Sequence, residues 1–222
     1  MDRDEFSKRV GDTETDIFPL DRMLPLSSVY KIFEGIYSSD PNKSNFLDNR
    51  KYKRFREGYF GLFAAAALDY WEKREHFLQF PARGDENDVN ILSPNDLSGP
   101  RPVFNKMVCD VKEFTPHEES FITFIEQKIR PRLKAYSIIL GSHRDITDFK
   151  PLYDMAVEED ALPVYLVTAG SSGGTDFSLG MVTMFYKGIS PIQVQINLRE
   201  VLNIDDGPIM IFQDKLRDKL DQ

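Results

Sequence analysis

Two acidic residues and a lysine lie at the ends of short apolar segments, and their chemistry fits phosphodiester hydrolysis. Asp110 and Lys112 fall near the end of the segment 103–114, and Asp88 precedes the segment 89–92. Because side chains alternate along a strand, Asp110 and Lys112 point to the same face. Two carboxylates supply the oxygen ligands that Mg²⁺ prefers. An ammonium group beside them can hold an attacking water and offset phosphate charge.

The pattern of an acid, any residue and a lysine is weak by itself, and it occurs three times in this chain. Only Asp110 and Lys112 follow an apolar strand and have a second acid-plus-strand segment upstream. The alternative for this pair is an exposed ion pair at a strand end, which contributes little to stability. For Asp88 the alternative is a turn residue that closes the loop 84–87.

The hydrophobic pattern places these residues on a sheet with helices before and after it. Residues 51–76, apolar on nearly all sides, predict a long buried helix. Thr115, followed by Pro116 and Glu118, predicts the start of another helix with a capping box. The other elements predicted in this part of the chain are helices at 29–37 and 148–159 and strands at 77–80, 89–92, 103–114, 136–140 and 164–167.

The C-terminal segment 192–198 alternates apolar and polar residues, which predicts a half-exposed strand paired antiparallel to 181–186. A further strand is expected at 209–212 and a polar helix at 213–222. The order of elements predicts an α/β fold, with a mixed sheet and helices on both of its faces. The predicted division is an irregular N-terminal arm at 1–28, an α/β core at 29–168, and a C-terminal β extension with a tail at 169–222, packed on the same domain.

Composition limits the classes of protein that remain. The chain has 222 residues and a formal net charge of −8, which argues against a protein that coats nucleic acid by bulk charge. Cys109 is the single cysteine, and residues 1–10 carry no apolar signal-like segment, so we expect a cytoplasmic location. The apolar run 60–68 is far shorter than the roughly 20 residues of a membrane-spanning helix, so no membrane partner is expected.

Basic residues are concentrated in two short runs, which is notable in an acidic chain. They are candidates for contacts with nucleic-acid phosphates. The alternative is that both runs form solvated surfaces, with the second also complementing a helix C-terminus. The candidate residues are Lys51, Lys53, Arg54 and Arg56 in the first run, and Arg130 and Arg132 in the second.

The order of a helix, Asp88 before a strand, Asp110-Val111-Lys112 on the next strand, and then a helix and a strand resembles the PD-(D/E)xK, or restriction endonuclease-like, nuclease superfamily. The resemblance covers about residues 50–168. It implies an αβββαβ core, cleavage of nucleic acid that depends on Mg²⁺ or Mn²⁺, and catalytic roles for Asp88, Asp110 and Lys112. It also implies metal contacts from Asp88, Asp110 and the main-chain carbonyl of Val111. Glu57 is the candidate for the further acid that many members carry on the first helix; the alternative is a solvated acid near the start of the helix, where it interacts favourably with the helix dipole.

The sequence therefore predicts a divalent-metal-dependent nuclease, with DNA as the favoured substrate. A homodimer is implied by the resemblance for enzymes that cut both strands. The alternative is a non-catalytic module of the same fold that binds nucleic acid or another protein. It is motivated by Asn87, where the superfamily often has proline, and by the acidic composition. In that case the carboxyl groups of Asp88 and Asp110 would lie more than roughly 8 Å apart, too far to share one ion.

Overall fold

Eight strands form one mixed sheet in the computed structural model, which describes residues 21–39, 52–82, 85–97, 103–115, 120–143, 146, 148–158, 161–169 and 177–204. The predicted mixed α/β class is confirmed. The strand and helix predicted at 209–212 and 213–222 lie outside the described residues. Within the described ranges, no helix combines the length and the apolar character needed to cross a membrane.

The strands follow one another across the sheet in the order of the chain. β4 pairs with β5, and β5 with β6, in parallel, whereas the other neighbours are antiparallel. The pairing of β7 with β8 confirms the antiparallel strands predicted in the C-terminal part. The strands are β1 (Met23–Pro25), β2 (Phe77–Gln79), β3 (Val89–Asp96), β4 (Val103–Phe114), β5 (Ser137–Ser142), β6 (Val164–Ala169), β7 (Leu179–Phe185) and β8 (Ile192–Asn197).

Five α-helical segments occur in the described part of the chain. One of them, α3, continues as a π-helical turn at Ile125–Ile129 and then as a 3₁₀ turn at Arg130–Arg132. The segments are α1 (Leu26–Ser39), α2 (Lys53–Glu72), α3 (Phe121–Phe124), α4 (Lys150–Glu158) and α5 (Leu198–Val201).

Alternate residues of the central strands face two separate hydrophobic clusters. Ile139 of β5 and Tyr165 of β6 pack with α1 and α2 on one face. Ile138 and Leu166 pack with α3 and α4 on the other face. Helix α2 is buried along most of its length because it lies between the sheet and α1, as its nearly continuous apolar sequence predicted.

Gly141 allows a close approach between helix α2 and strand β5. A Cβ atom at this position would lie 2.3 Å from the ring of Phe60. The ring therefore occupies the space that any larger residue at 141 would need. This contact fixes α2, which carries Glu57, against the end of β5.

The N-terminal boundary differs from the prediction. Residues 23–28 belong to β1 and the start of α1, where the sequence predicted an irregular arm. Pro25 had suggested irregular structure, but β1 lies at the edge of the sheet, where a residue without an N–H group is tolerated.

Two further element boundaries were predicted wrongly. Strand β3 continues past Leu92, where it was expected to end, and reaches Asp96 with a register shift between Pro94 and Asp96. An irregularity of this kind lets a strand accommodate proline. Helix α3 is capped by Ser120, whose hydroxyl accepts a hydrogen bond from the N–H of Thr123, and not by Thr115.

Candidate active site

Asp88 is held beside strand β4 by the main chain. It directly precedes β3, and its N–H donates to the carbonyl of Cys109 at 3.1 Å. Its carboxylate Oδ2 accepts a hydrogen bond from the N–H of Val111 at 2.8 Å. These two hydrogen bonds hold the start of β3 against the part of β4 that carries Asp110 and Lys112.

Asp110 lies next to Asp88 and is almost fully buried, with 2% of its side chain exposed. Lys112 Nζ lies 2.5 Å from Asp110 Oδ1, as expected for residues on the same face of a strand. Burial, and then the adjacent carboxyl group of Asp88, raises the pKa of Asp110 to about 6, although Lys112 acts in the opposite direction. The structure thus brings Asp88, Asp110 and Lys112 together.

Glu57 enters the same region from helix α2 and is 1% exposed. Lys53 Nζ lies 3.0 Å from Glu57 Oε1, and Arg54 Nη1 lies 3.8 Å from Oε2. Burial and the negative charge of Asp88 raise the pKa of Glu57 to about 7. Asp88 therefore interacts with both Glu57 and Asp110.

Three buried carboxylate oxygens in this group accept no hydrogen bond from the residues that the structure describes. They are both side-chain oxygens of Glu57 and Oδ2 of Asp110. Buried polar atoms are normally paired, because leaving them unpaired is unfavourable. Lys53 contacts Glu57 Oε1 as an ion pair, whereas the guanidinium groups near Glu57 Oε2 and Asp110 Oδ2 lie too far away for a hydrogen bond. The last two oxygens therefore retain the capacity to bind a cation directly.

Of the basic residues predicted to contact nucleic acid, three surround the carboxylates. Lys53 pairs with Glu57, Arg54 Nη1 donates to the main-chain oxygen of Asp88 at 3.0 Å, and Arg132 Nε lies 3.6 Å from Asp110 Oδ2. All three side chains are partly exposed, so they can also face a ligand in solution.

The other three predicted basic residues are placed differently. Lys51 lies outside the described residues. Arg56 is buried and pairs with Glu113 at 2.6 Å, a position that does not fit a surface contact with phosphate. Arg130 makes two hydrogen bonds to Glu126 on the turn that precedes it.

A buried polar network behind the site was not predicted. Glu113 Oε2 lies 2.6 Å from Arg56 Nε and 3.2 Å from His143 Nε2, so it joins helix α2 to the ends of β4 and β5. The signal was present in the sequence. Glu113 and His143 both fall at or just after the carboxyl ends of two predicted strands that a helix separates. Strands separated by a helix commonly pair in parallel, and their carboxyl ends then meet at one edge of a sheet.

The chemistry of the side chains in this site determines which metal ions it can bind. The described residues contain no group of three or more His, Cys, Asp or Glu side chains arranged to hold a metal ion. Asp88 and Asp110 form a pair of carboxylates with an adjacent lysine. Mg²⁺ commonly binds one or two protein carboxylates and keeps water or phosphate oxygens as its other ligands.

Comparison of this chain with protein-family models, curated proteins and solved structures found no match.

Proposed function

We propose that this protein is a divalent-metal-dependent nuclease with a restriction endonuclease-like core, and that DNA is its favoured substrate. The observation that carries the proposal is the convergence of Asp88, Asp110 and Lys112 at the β3–β4 pair. The order of elements supports it, because α2, β2, β3, β4, α3 and β5 follow the αβββαβ order implied by the sequence resemblance.

The donor set fits a hard divalent cation such as Mg²⁺ or Mn²⁺. Asp88 and Asp110 would hold it, and the resemblance adds the main-chain carbonyl of Val111. Asp110 Oδ2 is buried and accepts no hydrogen bond from the described part of the chain, and a cation at this position would satisfy it. When bound, the cation supplies Lewis acidity and neutralises the charge that develops on the phosphate.

Lys112 is the residue best placed to act on the attacking water. Its ammonium group is held by Asp110 Oδ1 and is about a quarter exposed, so it can reach both the carboxylates and the solvent. It would orient the water by hydrogen bonding and offset the charge of the phosphate. Burial of the neighbouring carboxylates strengthens these electrostatic interactions, because the local dielectric constant is lower than that of water.

Substrate binding is assigned to the partly exposed cations around the carboxylates. Lys53, Arg54 and Arg132 come from two separate segments and bring partly exposed positive charges next to the carboxylates. Contacts of this kind fix a nucleic acid on the protein surface without reading its sequence.

The alternative of a non-catalytic module required the carboxyl groups of Asp88 and Asp110 to lie far apart. The two carboxyl groups are instead close enough for Asp88 to raise the pKa of Asp110, which favours the metal site. Asn87, which replaces the expected proline, donates to Asn90 Oδ1 at 2.9 Å, and Asn90 in turn donates to Gln79 at 3.1 Å. This chain of amides gives the loop before Asp88 a support that does not depend on proline.

The proposal is tested by incubating the purified chain with labelled single- and double-stranded DNA and RNA in Mg²⁺, Mn²⁺ or EDTA. We expect cleavage only with a divalent cation, and a loss of about 100-fold or more in Asp110→Asn. Asp96→Asn is the matched control, since Asp96 lies at the far end of β3, roughly 26 Å along the strand from Asp88. Cleavage by Asp110→Asn at the parental rate would refute the proposal, as would the absence of metal-dependent cleavage by the parent on all four substrates.

A further inference from the structure

Arg132 approaches Asp110 from the solvent side of the site. Its Nε lies 3.6 Å from Asp110 Oδ2, and its side chain is 42% exposed, whereas that of Asp110 is 2% exposed. The distance is too long for a hydrogen bond, and Oδ2 receives none from the described residues. The guanidinium group is therefore held at this oxygen by charge alone.

The backbone around Arg132 is irregular, and the side chains of Arg130 and Arg132 therefore point in different directions. Helix α3 widens into a π-helical turn at Ile125–Ile129 and then tightens into the 3₁₀ turn Arg130–Arg132, which contains Pro131. π-helical turns are rare and are often found at functional sites. Arg130 pairs back to Glu126, whereas Arg132 points toward Asp110.

The ring of Tyr136 provides a second contact for Arg132. The guanidinium carbon lies 5.6 Å from the centre of the ring, within the range of a cation–π interaction. The Tyr136 hydroxyl donates to Glu86 Oε2 at 2.9 Å, which fixes the ring beside the site. If the pair with Asp110 opened, this contact would keep the guanidinium group close to the carboxylates.

We propose that Arg132 is a counter-ion that a divalent cation displaces from Asp110 Oδ2, and that the released guanidinium group then binds the substrate phosphate. This inference rests on the proposed nuclease function. A divalent cation competes for the same oxygen with twice the charge and repels Arg132 once it is bound. A phosphate held at the site offers the guanidinium group two acceptors in the geometry that arginine prefers.

The experiment compares Arg132→Gln with Arg130→Gln, which removes the same charge from the same segment. Mn²⁺ affinity is measured without nucleic acid, from the electron paramagnetic resonance signal of free Mn²⁺. We expect Arg132→Gln to bind Mn²⁺ about fivefold more tightly than the parent, on the scale of a partly exposed ion pair. Arg130→Gln should change the affinity less than twofold, and Arg132→Lys, which keeps the charge, should stay close to the parent.

Cleavage kinetics test the second half of the inference. Arg132→Gln should raise KM or lower kcat for DNA while it binds Mn²⁺ more tightly. A purely structural role would instead weaken both metal binding and cleavage.

The inference is overturned, with the nuclease proposal intact, if the parent binds Mn²⁺ and cleaves but Arg132→Gln binds Mn²⁺ no more tightly. It is also overturned if Arg132→Gln cleaves with parental kcat and KM. If the parent neither binds Mn²⁺ nor cleaves, both proposals fail.

Discussion

Replacing Glu57 with glutamine should remove a large part of the pH dependence of stability in metal-free protein. The pKa of Glu57 is raised to about 7 by burial and by the charge of Asp88, from an ordinary value of 4.5. The folded state therefore favours the protonated acid more than the unfolded state does. The stabilisation from this preference is complete below about pH 4.5 and is lost as the pH rises through 7.

The size of the effect follows from the shift in pKa. A difference between 4.5 and about 7 corresponds to about 3 kcal/mol in the free energy of unfolding, most of which is lost between pH 5 and pH 8. Asp110, whose pKa is also raised, adds a loss at lower pH, as that group ionises near pH 6. The Glu57→Gln variant keeps the contribution of Asp110 and lacks that of Glu57.

The assay is urea denaturation at pH 5 and pH 8 in the presence of EDTA. The quantity to compare is the loss of unfolding free energy between the two pH values, in the parent and in Glu57→Gln, because this difference cancels any change in packing. Glu126→Gln is the control, since Glu126 is an exposed acid whose pKa is lowered by Arg130. If the parent and Glu57→Gln lost the same unfolding free energy between pH 5 and pH 8, the conclusion that the folded state raises the pKa of Glu57 would be refuted.

Two further substitutions test the proposed role of Lys112 and the packing between helix α2 and strand β5. Lys112→Met should reduce kcat for cleavage by about 100-fold while the protein still binds Mn²⁺ in the resonance assay; a parental kcat would remove Lys112 from the mechanism. Gly141→Ala should destabilise the fold by about 1–3 kcal/mol in urea denaturation, because the added Cβ would lie 2.3 Å from the ring of Phe60; an unchanged unfolding midpoint would show that the ring can move aside.

The parts of the fold that could be predicted are those governed by local pattern. Strand β4 has the predicted bounds, and α2 forms within the predicted range, because both segments are long and α2 is apolar on nearly all sides. Asp88, Asp110 and Lys112 come together because neighbouring strands in the chain are also neighbours in the sheet. Their proximity required only the correct alternation of side chains and the correct pairing of β3 with β4.

The parts that were missed depend on tertiary contacts. Strand β3 continues past Pro94 because it pairs with β4, although the low strand propensity of the residues after Leu92 had predicted an end there. The link between Arg56, Glu113 and His143 joins three elements, and its geometry depends on the register of β4 against β5. The ends of the strands indicated that Glu113 and His143 lie near each other, but single-residue patterns hold no information about that register, so the contacts with Arg56 could not be derived from them.

The carboxylates of this site are placed where they destabilise the fold, which indicates that they are kept for a function. Glu57 and Asp110 are buried next to a third acid, with oxygens that receive no hydrogen bond from the described residues, and their pKa values are raised as a result. A scaffold selected only for stability would replace such groups with apolar or fully paired residues. Burial beside Asp88 is the reason why Glu57→Gln should flatten the dependence of stability on pH. The unpaired oxygen of Asp110 is the reason why we expect a cation to displace Arg132. Both expectations therefore depend on acidic groups that are buried beside one another and beside cations, an arrangement that is consistent with the divalent-cation site proposed above.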